Sequence, residues 1–211
     1  MLPLADAIRT APTTRRFRPD PVPAMALERA LDLARYAPSA GNRQPWRVVI
    51  VADAARRRAI RDAYVPHWDA YLRETGAAQV IARDEPAGTA RMLRAADRFA
   101  RELDAVPVHL VVAGERAGLH AVDDAGMTAG ASVYPFVQNL LLALRGEGLG
   151  AALVTLAARA EPVLRELLAL PGEVAVAGLV AVGFRESDRW PALRREPVSA
   201  FAHREQWGAG W

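Results

Sequence analysis

Three short apolar runs constrain the fold most. Trp46 to Val51 (WRVVIV), Val106 to Ala113 (VPVHLVVA) and Val174 to Val182 (VAVAGLVAV) are rich in β-branched residues and lack a polar alternation. A strand with one wet face alternates; a run that stays apolar at both parities reads as a strand covered on both faces. Between these runs lie stretches of helical period. Ala24 to Ala37 places Leu27, Ala30, Leu31 and Ala34 on one stripe, and Ala90 to Leu103 reads as a second helix. The broadest stripe is Val133, Phe136, Val137, Leu140, Leu141 and Leu144, a central core helix with Ser132 as its expected cap and Pro135 in its first turn. Gly146, Gly148 and Gly150 end it, and Ala151 to Thr155 enters a further strand. A charged helix from Asp53 to Tyr64 precedes Pro66, with His67 and Trp68 just beyond; Gly76 to Gly88 reads as a connection, and Glu161 to Leu168 as a short helix. Helices alternate with strands throughout, so the expected architecture is one domain over 1–211, a sheet with helices on its faces. From Phe184 onward the chain is rich in Arg, Pro and Trp, which predicts an arm over 184–211 that packs on something, a partner subunit included.

Composition narrows the function. No cysteine occurs, which removes disulfides, thiolate nucleophiles, iron–sulfur clusters and Cys-based zinc sites, so redox chemistry requires a borrowed cofactor. The 27 basic residues are all arginine, but the net charge is only +3 and no basic block is interleaved with aromatics, which argues against nucleic acid as a partner. No apolar run reaches membrane-spanning length, and Asp6 and Arg9 interrupt the first ten residues where a secretory signal would need a continuous apolar core; a cytoplasmic protein is expected. Only two asparagines occur, Asn42 and Asn139, so each calls for a chemical explanation.

Two polar constellations stand out. Thr13-Thr14-Arg15-Arg16-Phe17-Arg18 offers guanidinium forks and hydroxyls suited to a phosphate, and fits a solvated basic turn as well. Pro38-Ser39-Ala40-Gly41-Asn42-Arg43-Gln44-Pro45 places neutral donors and acceptors on a loop pinned by prolines, suited to a heterocycle's carbonyls and ring nitrogens, or to an ordinary helix-to-strand turn. His120 with Asp123 and Asp124 has the residue types of a metal site, but no second histidine at ligand spacing; a solvated loop is the expectation. His67 and Trp68 suit either a substrate pocket or surface packing, His109 reads as a core or edge histidine, and Gln138 and Asn139, which could reach a flavin, read as residues of capping or helix-to-helix hydrogen bonds.

ARYAPSAGNRQPW resembles the signature of the FMN-dependent nitroreductase family, in which a helix ends in a Pro-Ser-x-x-Asn-x-Gln-Pro-Trp turn. TTRRFRPDPVP is similar to that family's N-terminal phosphate segment, ASVYPFVQNLLLALRGEGLGAALVT to its central helix and Gly-Leu-Gly turn, and LLALPGEVAVAGLVAVGF with Arg194-Arg195-Glu196-Pro197-Val198 to its closing strand and basic tail. The resemblance implies an α+β sandwich, a mixed sheet flanked by helices, in an intertwined homodimer with two FMN sites at the interface. It implies that Thr13, Arg15 and Arg16, joined by Arg194 or Arg195, hold the phosphate and ribityl end. Pro38, Ser39, Ala40, Asn42 and Gln44 would contact the flavin, partly from the other subunit, and Leu153, Val154 and Thr155 would lie along the isoalloxazine edge. One departure is Ala11, where the family often carries an arginine; Arg16 or the tail arginines would compensate. The implied activity is hydride transfer from NADPH or NADH through flavin N5 to a small oxidised substrate such as a nitro compound or quinone, in a ping-pong cycle that obliges no acid or base side chain. Two alternatives share the motifs: a biosynthetic dehydrogenase or desaturase reoxidised by oxygen, with a flavin-cleaving relative as a specialised variant, and a non-catalytic flavin-binding protein lidded by Trp190, Trp207 and Trp211.

Overall fold

The computed structural model describes residues 2–82, 88–123 and 126–210. Its centre is a four-stranded sheet of β1 (Trp46–Val51), β2 (Val108–Glu115), β3 (Gly150–Val154) and β4 (Val174–Gly183), in the order β1-β2-β4-β3. The two longest apolar runs, β2 and β4, occupy the middle, where both faces are covered. Pairing is antiparallel along all four strands, where a mixed sheet was expected; the parallel element is the isolated bridge between Thr13 and Ala151 at the β3 edge. Ala177 is the extra residue of a bulge opposite Val112 and Ala113, and its carbonyl accepts from the Tyr134 hydroxyl at 3.2 Å.

Each face buries its own core. On one, Ile60, Tyr64, Trp68 and Leu72 of α3 (Ala54–Glu74), Phe99 of α5 (Thr89–Arg101) and Leu164 of α7 (Glu161–Leu167) pack against Val111, Val176 and Leu179. On the other, Leu27 and Ala30 of α2 (Ala24–Ala34) and Phe136, Val137, Leu140 and Leu144 of α6 (Tyr134–Gly146) pack against Leu110, Val112, Val180 and Val182. Burying one of these Leu or Phe side chains stabilises the fold by roughly 1.5–3 kcal/mol, so the α6 stripe is a principal tie between helix layer and sheet.

Several elements depart from the sequence expectation. The helix expected to stop at Tyr64 continues through Pro66 to Glu74. A proline inside a helix costs about 3 kcal/mol. Here Tyr64, Trp68 and Leu72 fall on the same buried face across it, and their burial outweighs that cost. Within the expected connection, Ala77–Ala82 forms α4, while 83–87 lie outside the described residues. Ser132 does not cap α6: its Oγ accepts from the Ala40 N–H at 3.1 Å, a tie between distant loops. Leu4–Arg9 forms an additional helix, α1. The arm attaches through Arg185, Trp190 and Leu193, then runs exposed, with Phe201 66% and Trp207 91% accessible.

Candidate functional site

The two polar constellations lie at opposite edges of the sheet. At the β3 edge, Thr13 bridges Ala151 and the Thr14 N–H donates to the Ala151 carbonyl at 2.9 Å, so the N-terminal segment is laid along the strand that precedes Thr155. Thr14 is buried and its Oγ1 accepts from Arg185 Nη1 at 3.0 Å. Gly150 makes room for that contact: a Cβ there would stand 2.7 Å from both the Thr14 hydroxyl and the Arg185 side chain. Arg16 pairs with Glu186 at 3.3 Å, both well exposed. Arg15 is half-buried and among the described residues has neither a hydrogen-bond nor an ion-pair partner. It lines a cavity of ≈ 520 Å³ whose walls include Trp68 and Tyr71 of α3, Met92, Leu93 and Ala96 of α5, and Thr155, Leu156 and Arg159 after β3. The Trp68 and Tyr71 rings stack at 5.5 Å, and Trp68 is fixed by a 2.9 Å hydrogen bond from its Nε1 to Asp97. The described lining holds no carboxylate or histidine. Of the other expected residues here, Leu153 is half-buried and Val154 packs into the core.

At the β1 edge, the loop before Trp46 is held by Ser39, whose Oγ accepts from the Gln44 N–H at 2.9 Å, and by the Ala40 bond to Ser132. Asn42 and Gln44 are non-glycine residues at φ 52° and 51°, beside Gly41 at 57°. That conformation costs an L-residue roughly 1–2 kcal/mol, and such strain gathers at sites where a side chain must be aimed. Gln44 Nε2 donates to Asn42 Oδ1 at 3.2 Å, and both side chains, with Pro38 and Ala40, are exposed. Arg43 braces the loop from behind through the Ala117 carbonyl at 3.1 Å.

Two strands separate β1 from β3, a span of roughly 14 Å at the usual inter-strand spacing. One chain therefore brings Thr13, Arg15 and Thr155 together, and brings Ser39, Ala40, Asn42 and Gln44 together, without joining the groups. Arg194 and Arg195 are exposed on the arm, just after the Leu193 N–H bonds the Arg9 carbonyl at 2.8 Å. Sequence reasoning missed Tyr71, Met92, Leu93 and Arg159; the available signal was the spacing Ile60, Tyr64, Trp68, Tyr71, which the break assigned at Pro66 concealed.

The discounted features behave as a loop and a core residue. Asp123 accepts from the Met127 and Thr128 amides at 2.8 and 3.0 Å and from the Thr128 hydroxyl, which with those amides holds its carboxyl below the usual range. Asp124 lies outside the described residues, among which no cluster of three metal-ligating side chains occurs. His109 is fully buried and its Nε2 bonds the Leu103 carbonyl at 2.8 Å; burial pushes the imidazole down to about 4. Among the described residues, no helix is long and apolar enough to cross a membrane.

Residues 8–184 match the family model described as the nitroreductase family. The chain is 33% identical to a protein named NADH dehydrogenase from Thermus thermophilus, over 92% of this chain and 93% of that protein. It is 32% identical to a 5,6-dimethylbenzimidazole synthase of Rhodospirillum rubrum, over 86% of this chain and 82% of the relative. Among solved structures it resembles oxidised iodotyrosine deiodinase bound to FMN and 3-iodo-L-tyrosine, with a TM-score of 0.71 and 26% identity over 93% of this chain and 96% of that one. An α+β sandwich carrying these motifs in order, matched by the family model over most of its length, belongs to the nitroreductase family of oxidoreductases.

Proposed function

We propose that the protein is an FMN-dependent oxidoreductase that works as an intertwined homodimer, with each flavin held by the β3 edge of one chain and the 38–44 loop of the other. The observation that carries this reading is the separation of the two edges: at one, a guanidinium without a partner among the described residues beside a large cavity, and at the other a strained, exposed loop that presents the uncharged Asn42 and Gln44. A single chain leaves each half without the other, and a two-fold axis repairs both at once. The residues fit the group. Arg15 supplies donors that meet no protein acceptor among the described residues, suited to the electron-rich part of a flavin or to its phosphate. Asn42 and Gln44 offer uncharged donors and acceptors to a ring system.

When bound, FMN supplies hydride transfer between NADPH or NADH and a nitro compound, quinone or similar oxidised molecule, in a ping-pong cycle. The chain contributes position and exclusion. Trp68, Tyr71, Met92 and Leu93 form an apolar wall suited to flat molecules, and Arg159, paired with Glu74 at 3.2 Å, closes the rim. With no carboxylate or histidine in the described lining, proton supply falls to water. The use of a nicotinamide donor fits the cytoplasm as the working compartment, and the Thermus relative's name supports that donor.

Two measurements test the reading. The purified protein is expected to be yellow, with FMN as the chromatographically identified cofactor after acid release; FAD, or failure to take up FMN, overturns it. Mixed anaerobically with NADH or NADPH in a stopped flow, the yellow protein should bleach rapidly. The similarity to 5,6-dimethylbenzimidazole synthase favours a second reading, an oxidising biosynthetic flavoenzyme, and persistent yellow under both donors would support it.

A further inference from the structure

The ≈ 520 Å³ cavity at the β3 edge has the size of a small-molecule site, and its lining is lopsided in charge: it holds Arg15 and Arg159 and, among the described residues, no carboxylate or histidine. Trp68 and Tyr71 supply stacked rings, and Met92 and Leu93 an aliphatic side. With Arg15 given to the flavin, Arg159 is the cation that a substrate meets. It lies in the turn of 3-10 helix Thr155–Ala160 directly after β3, where buried Ala157 and Ala160 pin the backbone and leave the Arg159 side chain exposed at the rim. Its one protein partner among the described residues is Glu74, the last residue of α3. That contact is loose. Nη1 reaches the two carboxylate oxygens at 3.4 and 3.2 Å, longer than the roughly 2.7–2.9 Å of a charge-assisted bond, and the two side chains are 48% and 55% exposed. The Nε and Nη2 donors meet no acceptor among the described residues, so one whole edge of the guanidinium fork is open. Glu74 stands at the negative end of the α3 dipole and gains little from the exposed pair, so it swings to water at small cost when a second carboxylate arrives.

We propose that this pocket selects flat, conjugated acceptors that carry a carboxylate, the ring lying against Trp68 and Tyr71 and the carboxylate taking the open Nε and Nη2 edge of Arg159. The proposal rests on the FMN reading and narrows its substrate class to acceptors with an anionic arm. The carboxylate takes no part in electron transfer: for a nitroarene, one hydride from the nicotinamide, passed through the flavin, and one proton from water convert the nitro group to a nitroso group and water. Arg159 decides which acceptor is held, because a planar fork pairs both oxygens of a carboxylate and only one acceptor atom of the neutral amide of the same shape.

The test compares 4-nitrobenzoate with 4-nitrobenzamide as acceptors for the FMN-loaded full-length protein. Wild type should show a kcat/KM at least about fivefold higher for the carboxylate, carried by KM, and Arg159→Gln should shrink that preference by about tenfold. Arg159→Lys keeps the charge and loses the fork, so it should fall between; Glu74→Gln, which removes the competing carboxylate, should raise the preference, and added salt should erode it. A readout without turnover is calorimetric titration of the oxidised holoprotein with benzoate and benzamide. Benzoate should bind wild type more tightly and lose that advantage in Arg159→Gln, and this comparison decides alone if neither nitro compound is turned over. Equal treatment of acid and amide by wild type, or a preference that survives Arg159→Gln, overturns the carboxylate site and leaves the FMN reading standing. A loss confined to bleaching of the flavin by NADH or NADPH overturns it as well, since Arg159 would then serve the donor's phosphates. A protein that takes up no FMN removes both.

Discussion

The two edges of this sheet carry opposite chemistry. The β3 edge gathers cations: Arg15 against a large cavity, Arg145 and Arg185 around Trp190. The β1 edge is strained and presents uncharged groups, its Asn42 and Gln44 held in left-handed backbone and its arginines spent on protein partners, Arg43 on the Ala117 carbonyl and Arg47 on the Gln44 and Trp46 carbonyls and Glu115. A cofactor with an uncharged ring and a dianionic tail has the same division. The difference teaches that the sheet sorts functions by edge, and that a single chain holds the two edges roughly 14 Å apart.

The strongest test of whether the edges stand or fall together is acid, because His109 lies on β2 between them. Its folded value of about 4 is depressed from 6.5, so the unfolded chain takes up the proton first as pH drops. The stability this group contributes is complete above pH 6.5 and is lost as pH falls toward 4, a loss on the order of 3 kcal/mol. Chemical denaturation at pH 7 and pH 4.5 should show it, and His109→Gln should flatten the dependence. A wild-type profile unchanged across that window would show that the histidine is not sealed from water.

Next in size is the split between edges. Arg15→Ala and Asn42→Ala homodimers should each bind FMN poorly, the former by about ten- to a hundredfold. Refolded together, random pairing makes about half the dimers mixed, with both lesions in one site, so roughly a quarter of all sites should recover. If mass spectrometry shows mixed dimers and no site recovers, the two edges do not serve one flavin from opposite chains.

The smallest effect sharpens the contrast in strain. Gln44→Gly removes a side chain from φ 51° and should raise stability by up to about 1 kcal/mol, the relieved strain being partly offset by glycine's greater unfolded entropy. FMN binding should weaken at the same time. A variant that gains no stability in a thermal melt would show that the conformation is not strained in this loop.

Much was legible in the sequence, because local patterns record burial. VPVHLVVA and VAVAGLVAV stay apolar at both parities because helices cover both faces, whereas WRVVIV, expected to be covered likewise, lies at the sheet edge with Ile50 48% exposed; the Val133 to Leu144 stripe marks one of the covering helices. The 38–44 loop and Arg15 were visible too, as residue types whose chemistry has no use in a core. Tertiary structure decided what depends on partners distant in sequence. Pro66 reads locally as a stop, yet Tyr64, Trp68 and Leu72 gain enough burial against the sheet for α3 to pass through it. Ser132 reads as a cap but bonds Ala40, 92 residues away. Arg145 looks like the charged end of an amphipathic helix, and only the return of the arm, with Trp190 laid on its guanidinium, turns it toward Ala11 to Thr13. A sequence records how often a residue type tolerates water; which edge of which strand it reaches is fixed by chain closure over long separations, and that is settled only when both cores pack.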